Sequence, residues 1–252
     1  MNKPPLVEVR DLHQKFGDHH VLRGVTTHVN HGETLVLLGG SGGGKSVLLK
    51  HFLGLLSPHS GQVIVNGEDI SDMNERRLGK VRQAMGMMFQ NGALFDFMTV
   101  GQNIAFPLRE RGIKDEVEIK NRVLESLEIV KLPGQEAKMP ADLSGGMRKR
   151  VALARAIVDK PECVLYDEPH AGLDPITGDS IDHLIRCLQK QHGMTNVIIT
   201  HEMRSVFRIA DRVIFLKLGQ IYWEGTPEEM KASSDPELQE FIEGSAREDE
   251  VC

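Results

Sequence analysis

The run Gly39-Gly40-Ser41-Gly42-Gly43-Gly44-Lys45-Ser46 satisfies the pattern G-x-x-x-x-G-K-[ST]. Glycines in such a run let successive backbone N–H groups face a polyphosphate, while Lys45 reaches the outer phosphates and the Ser46 hydroxyl can hold Mg²⁺. The apolar run Thr34-Leu35-Val36-Leu37-Leu38 precedes it and a helix-prone run begins at Val47, so the positive end of a helix points at the same charge and Val47 joins the cradle. Glycine-rich loops also occur as plain turns, but the order strand, loop, helix favours the phosphate reading. A second reactive pair, Asp167-Glu168, ends the apolar run Cys163-Val164-Leu165-Tyr166. Asp167 suits the Mg²⁺ shell, and Glu168 suits a general base that polarises an attacking water. Alone, two carboxylates after a strand are usually just a solvated strand end; beside a phosphate loop they read as hydrolytic chemistry.

These groups need elements to position them. Residues 6–38 alternate like strands and are broken by Gly17, Gly24 and Gly32; Asn66-Gly67 suits a tight hairpin turn after Gln62-Val63-Ile64-Val65. Residues 85–90 read as a short buried strand. Between Thr99 and Asp159 the period turns helical, most clearly over residues 117–130 and 145–158. Strands return at residues 163–166 and 197–200 with a helix over 176–191 between them, the alternation of a parallel sheet. A hairpin about Leu218-Gly219 precedes an acidic C-terminal segment.

The chain has 252 residues and a formal net charge of -6, so it is long enough for one large domain or two small lobes, and it lacks the basic field that duplex nucleic acid demands. Nucleic acid is therefore not an expected partner. Cys163, Cys187 and Cys252 lack C-x-x-C spacing and read as ordinary thiols of a reducing compartment. No apolar run approaches the ~20 residues that cross a bilayer, so a soluble, cytoplasmic chain is expected. His19, His20, His28 and His31 have no second cluster at ligand spacing and read as solvated surface, leaving nucleotide-borne Mg²⁺ as the metal.

The segment Leu143-Ser144-Gly145-Gly146-Met147 opens the strongly helical residues 148–158, and here the chain resembles the ATP-binding cassette (ABC) family with its LSGGQ signature. Ser144 and the amides of Gly145 and Gly146, aided by the helix dipole, make a second anion site. Ser144 would cap the helix in any case, but capping alone does not explain the whole set. The resemblance implies an α/β P-loop NTPase fold of the ABC ATPase type: a RecA-like core, an antiparallel β subdomain and a helical signature subdomain. It places the ATPase domain at residues 6–225, its helical part at about 92–160 and a C-terminal helical tail at 226–252. It further implies that Gln90 senses Mg²⁺ and the attacking water, that His201 contacts the γ-phosphate and that Asp174 couples two sites. Phe16 stands where an aromatic stacks on adenine, with His13, His19 or His20 as alternatives. The signature of one subunit closes on the ATP of the other, so the implied assembly is a homodimer holding ATP and Mg²⁺. Met147 replaces the usual glutamine, and Gly172 is expected to make the Asp174 loop more flexible than alanine would.

At finer scale, residues 89–95, 103–110 and Asp174-Pro175-Ile176-Thr177 resemble the ATPases of MCE-type lipid transporters. That resemblance implies an MlaE-like transmembrane permease, a periplasmic MCE-domain protein and a STAS-domain regulator as partners, and a peripheral place on the cytoplasmic side of the inner membrane. The apolar residues 91–98 lie where transporters dock a coupling helix, and core packing of the helical lobe is an equal reading. Two other assignments stay open: the ATPase of an amino-acid or drug transporter, and a soluble cassette without transport.

Overall fold

A computed structural model describes residues 4–244, so Cys252 and the end of the proposed tail lie outside the described residues. Its centre is a six-stranded sheet in the order β10-β9-β3-β8-β7-β6. Strands β3 (Thr34–Leu38), β6 (Met85–Met88), β7 (Cys163–Asp167), β8 (Thr195–Ile199) and β9 (Arg212–Lys217) run parallel, and β10 (Gln220–Gly225) turns back antiparallel on β9. Every residue of β3 and β8 is buried. Such strands carry continuous apolar runs because both faces of the sheet are covered.

The period-2 alternation of side chains divides the core. Val36, Leu38, Val164, Tyr166 and Ile198 face helices α3 (Val100–Glu110), α4 (Glu116–Ile129), α5 (Gly145–Ile157) and α6 (Pro175–His192). Leu35, Leu37, Leu165, Val197 and Ile199 face α1 (Lys45–Phe52) and a second sheet. That sheet is antiparallel, ordered β2-β1-β4-β5, from β1 (Val7–Phe16), β2 (His19–Val29), β4 (Ser60–Val65) and β5 (Glu68–Asp69). Asn66 and Gly67 both take positive φ, 50° and 81°, between β4 and β5, as a two-residue hairpin turn requires.

Side-chain caps start the helices that carry the site. Thr99 and Gln102 form a reciprocal capping box on α3, Asp115 caps α4, Ser144 caps α5 and Asp174 caps α6. Buried Asn103 then ties α3 to the preceding loop, bonding the Phe95 amide and the carbonyls of Phe95, Met98 and Thr99. Helix α2 (Glu75–Arg82), absent from the sequence reading, buries only Leu78, so its charged sequence shows no apolar stripe. Helix α7 (Met203–Ile209) is too short to impose a period. Helices α8 (Pro227–Ala232) and α9 (Pro236–Glu243) return to the sheet, where Phe241 meets Phe215 edge to face at 4.9 Å and Tyr222 donates to Asp235 at 2.9 Å.

One charged junction joins the two sheets. The Arg212 guanidinium on β9 donates to both carboxylate oxygens of buried Glu33, at 2.6 and 3.1 Å, to the His28 carbonyl at 2.6 Å and to Glu224 on β10. The planar fork of arginine suits this set. Removing it strands the Glu33 charge, so Arg212→Ala is expected to lower stability by about 3 kcal/mol in urea unfolding, with Arg212→Lys recovering only part.

Candidate functional site

The glycine loop leaves β3 at the carboxyl edge of the parallel sheet and runs into α1. Gly39 has φ 137° and Gly44 φ 98°. A Cβ on Gly39 would lie 2.1 Å from the Leu216 carbonyl oxygen, and one on Gly44 would lie 2.7 Å from Leu22. Glycine is thus required by backbone conformation and by close approach together. Gly42, Gly43, Gly44, Lys45, Ser46 and Val47, with His19, line a concavity of about 230 Å³. Lys45 Nζ donates to the carbonyls of Gly39 and Gly40 at 2.7 and 2.9 Å. Burial pulls its ammonium below the usual lysine range, and the charges of Glu168 and Asp167 oppose that fall. A phosphate entering the cradle would replace neutral carbonyls with charged oxygens, a stronger partner for the same ammonium.

The neighbouring parallel strands deliver the remaining groups to the same edge, the place where open α/β sheets bind ligands. Asp167 ends β7 in register with Ile199 of β8. Burial raises the Asp167 carboxyl, as does the Glu168 charge, while Lys50 and Lys45 draw it down. Glu168 follows with φ 48°, an uncommon conformation for a residue with a Cβ. Its N–H donates to the Ile199 carbonyl at 2.9 Å and its own carbonyl accepts the Ala171 N–H at 3.1 Å, which fixes the strained turn. The Glu168 carboxylate pairs with His201 Nδ1 at 2.9 Å. Gln90 lies two residues past β6, its side chain exposed.

Among the described residues no group of three or more His, Cys, Asp or Glu stands ready to hold a metal. Mg²⁺ keeps waters and needs only one or two protein oxygens beside substrate phosphates, a demand that the hydroxyl of Ser46 on α1 and the carboxylate of Asp167 at the end of β7 could meet.

Five expected residues, Phe16, Ser144, Gly145, Gly146 and Asp174, are not among those lining the glycine-loop concavity. Phe16 ends β1 opposite His19 and is 48% exposed, and it is His19 that lines the loop concavity. Ser144 and its glycines start α5, where Ser144 Oγ accepts the Met147 N–H at 3.3 Å. Their neighbour is the Asp174 loop: a Cβ on Gly146 would meet Thr177 at 2.4 Å, and one on Gly145 would lie 3.7 Å from Leu173. Asp174 accepts from the amides of Ile176 and Thr177 at 3.1 Å each and from the Thr177 hydroxyl at 2.6 Å. Met147 packs partly buried against the helical core. Gly172 has φ 77° with nothing within 4 Å of a Cβ, so glycine answers a left-handed turn there as well as adding flexibility. Of the apolar residues 91–98, Leu94 packs against the core, Phe95 stacks with Phe106 at 4.9 Å, and Phe97 stays 76% exposed. The run therefore serves both core and surface.

Three side-chain arrangements escaped the sequence reading. Buried Lys149 on α5 donates to the carbonyls of Gln90 and, at 3.4 Å, Glu168. Its place one turn before buried Ala152 and Leu153 was the available signal. His170 Nε2 meets Asp182 at 2.7 Å, and Ser205 donates to the same oxygen at 2.6 Å, joining the Asp174 loop to α6 and α7. Buried His51 on α1 bonds the Val47 carbonyl at 2.8 Å and Gln14 of β1 at 3.1 Å.

Two substitutions test this geometry. Gly39→Ala is expected to cost about 2–4 kcal/mol in denaturant unfolding, because the Leu216 backbone must move and a strained φ is imposed. Asp167→Asn removes a carboxyl whose folded pKa is raised. Such a group favours the fold below its unfolded pKa and disfavours it as pH rises through its folded pKa. The variant should therefore unfold at a higher temperature than the parent near neutral pH and match it below about pH 4, the ordinary carboxylate range.

The ABC transporter family pattern matches residues 22–171, more than half of the chain. The chain is 40% identical over 238 residues to the probable ribonucleotide transport ATP-binding protein mkl of Mycobacterium leprae, covering 94% of this chain and 69% of that one. It is 39% identical over 241 residues to the intermembrane phospholipid transport system ATP-binding protein MlaF of Haemophilus influenzae, covering 96% and 91%. Among solved structures, the ATP-binding cassette MJ0796, a dimer bound to ADP and Pi, superposes with a TM-score of 0.80 at 31% identity, covering 88% of this chain and 98% of that one. With the phosphate loop, the Asp167-Glu168 strand end and the Ser144 helix start in family order on that fold, the chain belongs to the ABC transporter ATP-binding family.

Proposed function

We propose that this chain is the ATP-hydrolysing subunit of a membrane ABC transporter that moves phospholipid across the cell envelope through an MCE-type system. The observation that carries the ATPase reading is the Glu168–His201 pair, 2.9 Å apart and held at the sheet edge that also bears the glycine loop. Lys45 and the amides of residues 39–47 bind the phosphates, with Ser46, Asp167 and Gln90 toward Mg²⁺, which when bound neutralises developing charge on the phosphates. Glu168 orients and polarises the water, His201 holds Glu168 in place and reaches the γ-phosphate, and Gln90 reports the filled site to the loop that follows β6. The proposed domain division follows these roles: residues 6–225 form the ATPase, about 92–160 its helical part, and 226–252 a tail.

Ser144, Gly145 and Gly146 lie outside the concavity of the glycine loop, so we assign their anion site to the nucleotide of a second copy, with Asp174 linking the two sites and ADP-bound dimeric MJ0796 as precedent for pairing. Phe16 or His19 takes the adenine side. The permease would dock in the groove of about 400 Å³ lined by Phe89, Phe95, Phe106 and Pro107, with exposed Phe97 nearby. The name of the MlaF relative supports phospholipid as cargo; an MlaE-like permease, a periplasmic MCE-domain protein and a STAS-domain regulator are proposed as partners from the resemblance of residues 89–95, 103–110 and 174–177. No helix of the described residues is long and apolar enough to cross a membrane, which agrees with a peripheral subunit on the cytoplasmic side of the inner membrane.

Affinity purification of the chain from its native membranes in mild detergent, with mass spectrometry of proteins and lipids, tests the cargo. An MlaE-like permease with an MCE protein and phospholipid is expected. A different permease would overturn the cargo while leaving the ATPase, and recovery free of any membrane protein would overturn the transport role. Lys45→Ala is expected to weaken nucleotide binding at least about tenfold, the loss of one charge-assisted contact, as read by fluorescent ATP titration.

A further inference from the structure

Lys149 is an anomaly of the core. It is only 6% exposed, in the body of α5, and its recorded hydrogen-bond partners are two backbone carbonyls rather than a carboxylate. Burial pulls its ammonium below the ordinary lysine range, opposed by the Glu168 charge. An apolar side chain in that place would spare the fold a desolvated cation. The two carbonyls belong to Gln90 and Glu168, the residues assigned above to the attacking water.

The surrounding bonds show what the contact holds. Arg155, further along α5, donates to the carbonyls of Gly92 and Ala93 at 2.7 Å each, so α5 grips the loop after β6 at residues 90, 92 and 93. On the other side, Glu168 sits at φ 48° with its N–H on Ile199 and its carbonyl shared by the Ala171 N–H and Lys149. A peptide in that conformation keeps its geometry only when its neighbours over-determine it. The N-terminus of the same helix carries Ser144, Gly145 and Gly146.

We propose that Lys149 is a positioning residue for ATP hydrolysis, clamping the peptides of Gln90 and Glu168 to α5 so that an anion bound at Ser144–Gly146 sets both side chains at once. The inference rests on the ATPase reading above. Lys149 touches neither nucleotide nor water; it acts through the two peptides it holds. A rigid helix moved at its N-terminus carries Nζ with it, and the two loops follow.

The test uses the full chain as wild type, Lys149→Met, Lys149→Gln and Glu168→Gln, with steady-state ATP hydrolysis, fluorescent ATP binding and urea unfolding measured on each. Lys149→Met keeps the length and loses the donor, so kcat is expected to fall on the order of 10- to 100-fold, the effect of a misplacement of about 1 Å. KM and nucleotide affinity are expected to stay within about threefold, since the glycine loop is untouched. Lys149→Gln, a neutral donor, is expected to recover part of kcat. Wild-type kcat in Lys149→Met overturns the proposal. So does parallel loss of binding, turnover and stability in both Lys149 variants, which marks a packing role alone. Absence of ATP hydrolysis in the wild-type chain would instead overturn the ATPase reading, and turnover that survives in Glu168→Gln would overturn the role given to Glu168, so the failures are distinguishable.

Discussion

A parallel sheet buried on both faces can offer polar groups only at its ends, and this constraint shapes the molecule. Helices cover one face of β3, β7 and β8 and α1 with the antiparallel sheet covers the other, so residues 35–38, 163–165 and 197–199 of these strands are apolar. Their carboxyl ends are therefore where a lysine, two carboxylates and a histidine can meet without being buried unpaired. The glycine loop adds a local demand: its first residue presses against the Leu216 backbone of β9, so loop shape and sheet packing are set together. The Arg212 junction ties β9 to β2 and to Glu33, the residue before β3.

The second organising element is α5. Its N-terminus is capped by Ser144 and followed by two glycines, and a Cβ on Gly146 would meet the Thr177 methyl of α6 at 2.4 Å. Its body carries basic side chains that end on backbone carbonyls of the loop after β6. One helix thus spans the proposed anion site, the start of α6 and the segment bearing Gln90. Movement of α5 as a rigid body would be felt at all three places, a mechanical basis for linking nucleotide contacts to the surface around Phe97.

Much of this was legible in the residues. The strands of the parallel sheet announce themselves by apolar runs, the hairpins by Asn66-Gly67 and Leu218-Gly219, and the cradle by glycine spacing around Lys45. α2 was illegible because most of its residues are charged and it packs through Leu78 with only partly buried Val81 beside it. Lys149 falls within residues 145–158, legible only as helix, since its burial follows from a tertiary fit that spacing only hints at. The His170, Asp182 and Ser205 cluster joins residues far apart in sequence, and nothing local marks it. Gly172 was read for flexibility, whereas the backbone there also needs positive φ.

The central claim is that the glycine loop of one copy and the Ser144 helix of another enclose the same ATP. Sedimentation velocity of purified Glu168→Gln, with and without Mg²⁺ and ATP, tests it most directly. A monomer is expected without nucleotide and a dimer at saturating ATP, lost again when Ser144→Arg is added to the same chain. A monomer at saturating ATP, with nucleotide demonstrably bound, would contradict it.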